Sequence, residues 1–79
     1  MGSEYLVAFK PKEEDKWHNL LESLDNPLTE NGWSAFTAEL TKKGIYFCDH
    51  GQSAAAALAL RRILDHALVR HDSIIVREP

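Results

Sequence analysis

The stretch Ser53–His71, SAAAALALRRILDHALVRH, constrains this chain more than any other. Four alanines in a row are strong helix formers, and Ser53 stands where a side-chain oxygen can accept a backbone N–H of the first turn. At about 100° per residue, Ala56, Ala57, Leu60, Ile63, Leu64, Ala67 and Leu68 fall on one face, with Arg61, Arg62, Asp65, His66 and Arg70 elsewhere. A helix with one apolar side needs an apolar surface to lie on, and the rest of the chain offers material for a small sheet.

Tyr5–Phe9 is a β-branched and aromatic run that stops at Lys10-Pro11, where proline removes a ladder donor. From Lys12 the period changes. Trp17, Leu20, Leu21 and Leu24 are spaced for a helix, with Glu13, Glu14 and Asp15 in its first turn, where the helix dipole favours negative charge. The residue before Pro27 is pushed out of the α region, so this helix ends near Asp25-Asn26. Trp33–Leu40 alternates as a second strand, and Thr41-Lys42-Lys43-Gly44 is a compact turn in which Gly44 can adopt positive φ. Ile45–Asp49 is the third strand, paired with the second as a hairpin. Ser73–Arg77 follows the long helix as the fourth.

The order βαββαβ predicts one ferredoxin-like sandwich over residues 4–78: a four-stranded antiparallel sheet with two helices on one face, an α+β class. Seventy-nine residues hold apolar material for one core, and 44% hydrophobic with 27% charged residues is the balance of an ordinary globular domain. Tyr5, Val7, Phe9, Phe36, Ala38, Leu40, Ile45, Phe47, Ile74 and Val76 are expected to face the helices. The open face then carries Leu6, Ala8, Lys10, Trp33, Ala35, Thr37, Glu39, Tyr46, Cys48, His50, Ile75 and Arg77. Half of these are apolar, more than a solvated sheet face usually bears, which marks the face as an interface. The residues expected to carry it are Leu6, Ala8, Trp33, Tyr46 and Ile75.

Charge and cysteine content narrow the partners. A formal net charge of -3 argues against broad electrostatic capture of nucleic acid. The lone Cys48 cannot form an internal disulfide, and no apolar run approaches the roughly 20 residues that span a bilayer. The expectation is a cytoplasmic protein, with no membrane, that forms a homodimer or binds another protein.

Three constellations could carry chemistry. Cys48 and His50 project to one face of a strand, about 7 Å apart along it, and could supply two metal ligands. A structural zinc needs four ligands and a catalytic one three, and no second pair stands at ligand spacing, so neither metal nor cofactor is expected. Arg62, His66 and Arg70, four residues apart, form a basic ridge on the long helix that suits phosphates or an acidic surface but is more often the pattern of a solvated helix face. Asp49–Ser53 joins a strand to a helix N-terminus without the glycines and Lys-Ser or Lys-Thr of a phosphate loop.

The run Lys43-Gly44-Ile45-Tyr46-Phe47-Cys48-Asp49-His50 resembles the RNP1 segment of RNA-recognition motifs at Lys43, Gly44 and Phe47. It departs from that segment at Ile45, where an aromatic is usual, and at Tyr46, where a small residue is usual. Gly51-Gln52-Ser53 and the alanines after it are also similar to the last helix of double-stranded RNA-binding domains, without the lysines that touch phosphate there. The RNP1 resemblance implies a single-stranded RNA-binding module, with Tyr46 and Trp33 as stacking platforms and Lys10, His50 and Arg77 as further contacts. It would aim Ile45 and Phe47 at RNA, whereas the alternation buries both. The first reading is therefore a small non-enzymatic protein that binds a partner or itself through the open sheet face. An RNA-binding module is the second, and an enzyme or metal site at Cys48 and His50 the third.

Overall fold

The computed structural model describes residues 3–28, 32–51 and 53–79. In chain order these form β1 (Ser3–Ala8), a 3-10 turn (Glu13–Asp15), α1 (Trp17–Ser23), β2 (Phe36–Thr41), β3 (Gly44–Asp49), α2 (Ala54–Arg70) and β4 (Ile75–Arg77). The class is α+β, a single open antiparallel sheet with strand order β2-β3-β1-β4 and two α-helices.

The β2–β3 hairpin turns through Lys42 and Lys43, where the Thr41 hydroxyl accepts the Lys43 N–H (3.1 Å) and donates to the Gly44 carbonyl (3.0 Å). Gly44 has φ +134°, the positive φ expected of it. β2 starts three residues later than the alternation suggests, and the cause is tertiary. The Asn26 side-chain amide acts as a short piece of strand, accepting from the Phe36 N–H (3.2 Å) and donating to the Phe36 carbonyl (2.9 Å). The Ala35 N–H donates to Pro27 O (3.0 Å), and a bridge joins Leu28 to Ser34. The segment ahead of β2 is thereby folded inward. Ala35, expected on the open face, is 1% exposed in the core, and Trp33 sits in the preceding loop, 68% exposed. The residues linking Leu28 to Gly32 lie outside the described residues.

The first helix is also shorter than its periodicity. Lys16 adopts a left-handed conformation (φ 57°, ψ 44°), which separates the 3-10 turn from α1. α2 follows the expectation closely: Ser53 Oγ accepts the Ala56 N–H (3.1 Å) and Arg70 lies in the last turn. Its buried face is rotated, however. Ala56, Ala59, Ile63 and Ala67 are buried, while Ala57 and Leu68, expected inside, are exposed. With alanines inward the helix axis can approach the bulky Ile45 and Phe47 beneath it, and the larger leucines move to the flanks. These residues join Val7, Trp17 and Phe36 in one core cluster, in which Phe36 and Phe47 stack at 5.2 Å. Among the described residues no helix is long and apolar enough to cross a membrane.

Candidate functional site

Because side chains alternate along a strand, the register defines three rows on the sheet face opposite this core. The middle row runs Glu39 (β2), Tyr46 (β3), Leu6 (β1), Arg77 (β4). On one side of it lie Thr41, Gly44, Ala8 and Ile75, and on the other Thr37, Cys48 and Glu4. Of the interface residues expected from the sequence, Leu6, Ala8, Tyr46 and Ile75 come together here, and Trp33 does not join them in the sheet. Leu6 is only 7% exposed although it lies outside the helix-side core, since its row neighbours Tyr46 and Arg77 flank it; Ile75, on the edge strand, is 64% exposed. Leu6, Tyr46, Glu39, Lys43 and Arg77 line a shallow depression on this face.

Tyr46 is held in place. Its hydroxyl donates to Glu4 Oε1 at 2.6 Å. That bond, with desolvation and the neighbouring Cys48 adding to it, pushes the phenol well above the ordinary tyrosine range, so Tyr46 stays a neutral donor. Glu39 and Arg77, at the two ends of the row, are exposed, and neither side chain has a hydrogen bond or ion pair among the described residues.

Cys48 is a half-buried free thiol. His50 makes a different pair from the one its spacing suggests. Its Nδ1 lies 2.9 Å from Ser34 O, and a carbonyl only accepts, so Nδ1 carries the proton. Nε2 lies 3.0 Å from Thr37 Oγ1 and, in the neutral ring, accepts from that hydroxyl. Both ring nitrogens are thus committed to tying the end of β3 to the segment before β2. Among the described residues no group of three or more His, Cys, Asp or Glu is arranged to hold a metal. Lys10 lies just beyond β1, exposed. Ile45 and Phe47, the positions that the RNP1 resemblance would aim at RNA, are 0% and 1% exposed beneath the helices.

The basic ridge of α2 is dispersed into structural contacts. Arg62 donates to Ser23 O (3.2 Å) and Ser23 Oγ (3.0 Å) at the C-terminus of α1, where a cation suits the helix dipole. Arg70 donates to the His66 carbonyl (3.1 Å). His66 is half-buried rather than a surface residue: its Nε2 donates to Asp15 O at 2.6 Å and its ring packs edge-on to Trp17 at 4.5 Å. Sequence reasoning missed the hub of this cluster. Asp15, 4% exposed, accepts from the Lys12 N–H (3.1 Å) and from His71 Nε2 (3.1 Å). Desolvation alone would raise its pKa. The His71 hydrogen bond, the Lys12 N–H and the attraction of His71 outweigh it and hold the carboxyl below its usual range. The smallest contribution comes from the indole N–H of Trp17, a buried donor with no acceptor at full hydrogen-bond geometry. The aromatic rings run in series, His71 to Phe9 at 5.0 Å, Phe9 to Trp17 at 5.0 Å, and Trp17 to His66. The Asp15 carboxylate and one nitrogen of each histidine are bonded within the fold, which makes this a lock between the 3-10 turn, α1, α2 and the segment after β1.

Compared with protein-family models, with curated proteins and with solved structures, the chain matches none.

Proposed function

We propose that this chain is a small non-enzymatic binding or regulatory protein of the cytoplasm, a ferredoxin-like βαββαβ sandwich whose open sheet face docks a protein surface. The observation that supports the reading is the composition of that face: Leu6, Ala8, Tyr46 and Ile75 are contiguous in register, bordered by unpaired charges at its two edges. An apolar centre with a charged rim is the anatomy of a protein interface. The polar clusters speak against catalysis at the sites considered. His50 has both nitrogens engaged, and Asp15 with its two histidines is turned into the helix layer. The free thiol of Cys48, in the row beside the middle one, suits a reducing compartment.

Cys48 also supplies the test. Its alkylation rate is measured in source cells and on the purified chain at high dilution. Protection in cells that is lost on dilution is the expected result. Equal reactivity in both settings refutes a covered face.

A further inference from the structure

We infer that the occupant of the open face is a second copy of this chain, related by a two-fold axis that lies between the facing sheets and runs parallel to the strands. The inference rests on the docking role proposed for this face and deepens it by naming the partner. The middle row reads acid, aromatic, aliphatic, base: Glu39, Tyr46, Leu6, Arg77. A two-fold axis along the strands, passing between β1 and β3, exchanges β2 with β4 and β3 with β1. It therefore lays Glu39 of one copy over Arg77 of the other, and Tyr46 over Leu6, each contact occurring twice.

The pattern is self-complementary about that axis and about no perpendicular one. An axis along the row would set Glu39 on Glu39 and Arg77 on Arg77, placing like charges in contact at both edges. The neighbouring row fits the same arrangement, because Gly44 then faces Ala8 and their small size lets the two sheets approach to the roughly 10 Å spacing of packed sheets. Ile75, 64% exposed on the single chain, is covered by Thr41. Glu39 and Arg77 have no partner among the described residues, so the pairing takes nothing from the fold of the single chain.

The test is a charge exchange read by sedimentation velocity from micromolar to millimolar chain, at low and high salt. Wild type is expected to dimerise with concentration. Glu39→Arg and Arg77→Glu each bring like charges together twice per dimer and should weaken association roughly tenfold or more. The double variant restores both pairs with reversed sign and should recover to within about threefold of wild type. Both side chains are exposed, so circular dichroism should be the same for all four proteins. Wild type that stays monomeric throughout overturns the inference. So does a dimer indifferent to the single reversals, or a double variant no better than either single one. A monomeric chain whose Cys48 is nevertheless protected in cells overturns self-association and leaves the docking role standing; a Cys48 equally reactive in both settings removes the docking role itself.

Discussion

Gly44 is the position at which one added methyl group should do most damage. A Cβ there would collide with the Val7 carbonyl oxygen and lie 3.0 Å from the Val7 carbonyl carbon and 3.1 Å from the Phe9 nitrogen, all backbone atoms of β1 and of the residue just past it. No side-chain rotation relieves such contacts, so β1 must retreat from β3 by roughly 1 Å at this end. That movement loosens the Phe9 N–H bond to Lys43 O, now 3.1 Å, and the adjoining Ala8–Gly44 pairing. Two weakened backbone hydrogen bonds cost about 2 kcal/mol. Holding an alanine at φ +134° adds about 2 kcal/mol of backbone strain. The sum, about 4 kcal/mol, is a third or more of what a domain of this length normally has. Gly32→Ala is the control: its φ is +79° but nothing lies within 4 Å of the added Cβ. Strain without collision should cost about 1 kcal/mol. Urea unfolding followed by tryptophan fluorescence separates the two cases, because Trp17, 2% exposed, reports the core while Trp33 is already in solvent. A Gly44→Ala midpoint equal to that of Gly32→Ala would refute the reasoning.

Asp15, whose folded-state carboxyl is held below its unfolded value, stabilises the fold above the usual carboxylate range, and that contribution is lost as pH falls through its depressed value. Acid titration of thermal stability should therefore be shallower in Asp15→Asn than in wild type, and parallel curves would show that the His71 contact does not stabilise the charge. Ser53→Ala removes the acceptor of the Ala56 N–H and should cost about 1 kcal/mol in denaturant unfolding, with Ser53→Gly costing less. Single-stranded RNA should bind weakly and lose affinity steeply with salt, given the net charge of -3. Saturable binding at physiological salt that Tyr46→Ala abolishes would favour the RNA-binding reading over a protein interface.

The long helix and its cap were legible because their causes are local: alanine propensity, and a serine three residues before an N–H it can accept. Its phase was not, because hydrophobicity ranks leucine above alanine, whereas close approach to Ile45 and Phe47 favours the smaller residue. The start of β2 was hidden for a related reason. Asn26 takes the place of a strand partner for Phe36 from ten positions away, and no alternation pattern encodes that. Asp15 read only as a first-turn acid suited to the helix dipole, since the histidine that bonds its carboxylate lies 56 residues later. The rows of the open face were half readable: alternation named most of their members, but only the register aligns Glu39 with Tyr46, Leu6 and Arg77.

The two sides of the sheet divide the polar residues by task. On the helix side Arg62, His66, His71 and Asp15 all point at partners within the fold, so of the basic ridge marked by the sequence Arg62 ties α2 to α1, His66 ties it to the 3-10 turn and Arg70 stays within α2. On the open side the bond from Tyr46 to Glu4 fixes an aromatic ring at the centre and keeps it neutral, because ionising the phenol would forfeit that hydrogen bond and place a charge in a partly desolvated site. The centre of the face therefore keeps its apolar character across the physiological pH range. Glu39 and Arg77 at its edges carry charges that salt can screen. Association through this face should then respond to ionic strength through its edges while remaining nearly insensitive to pH near neutrality.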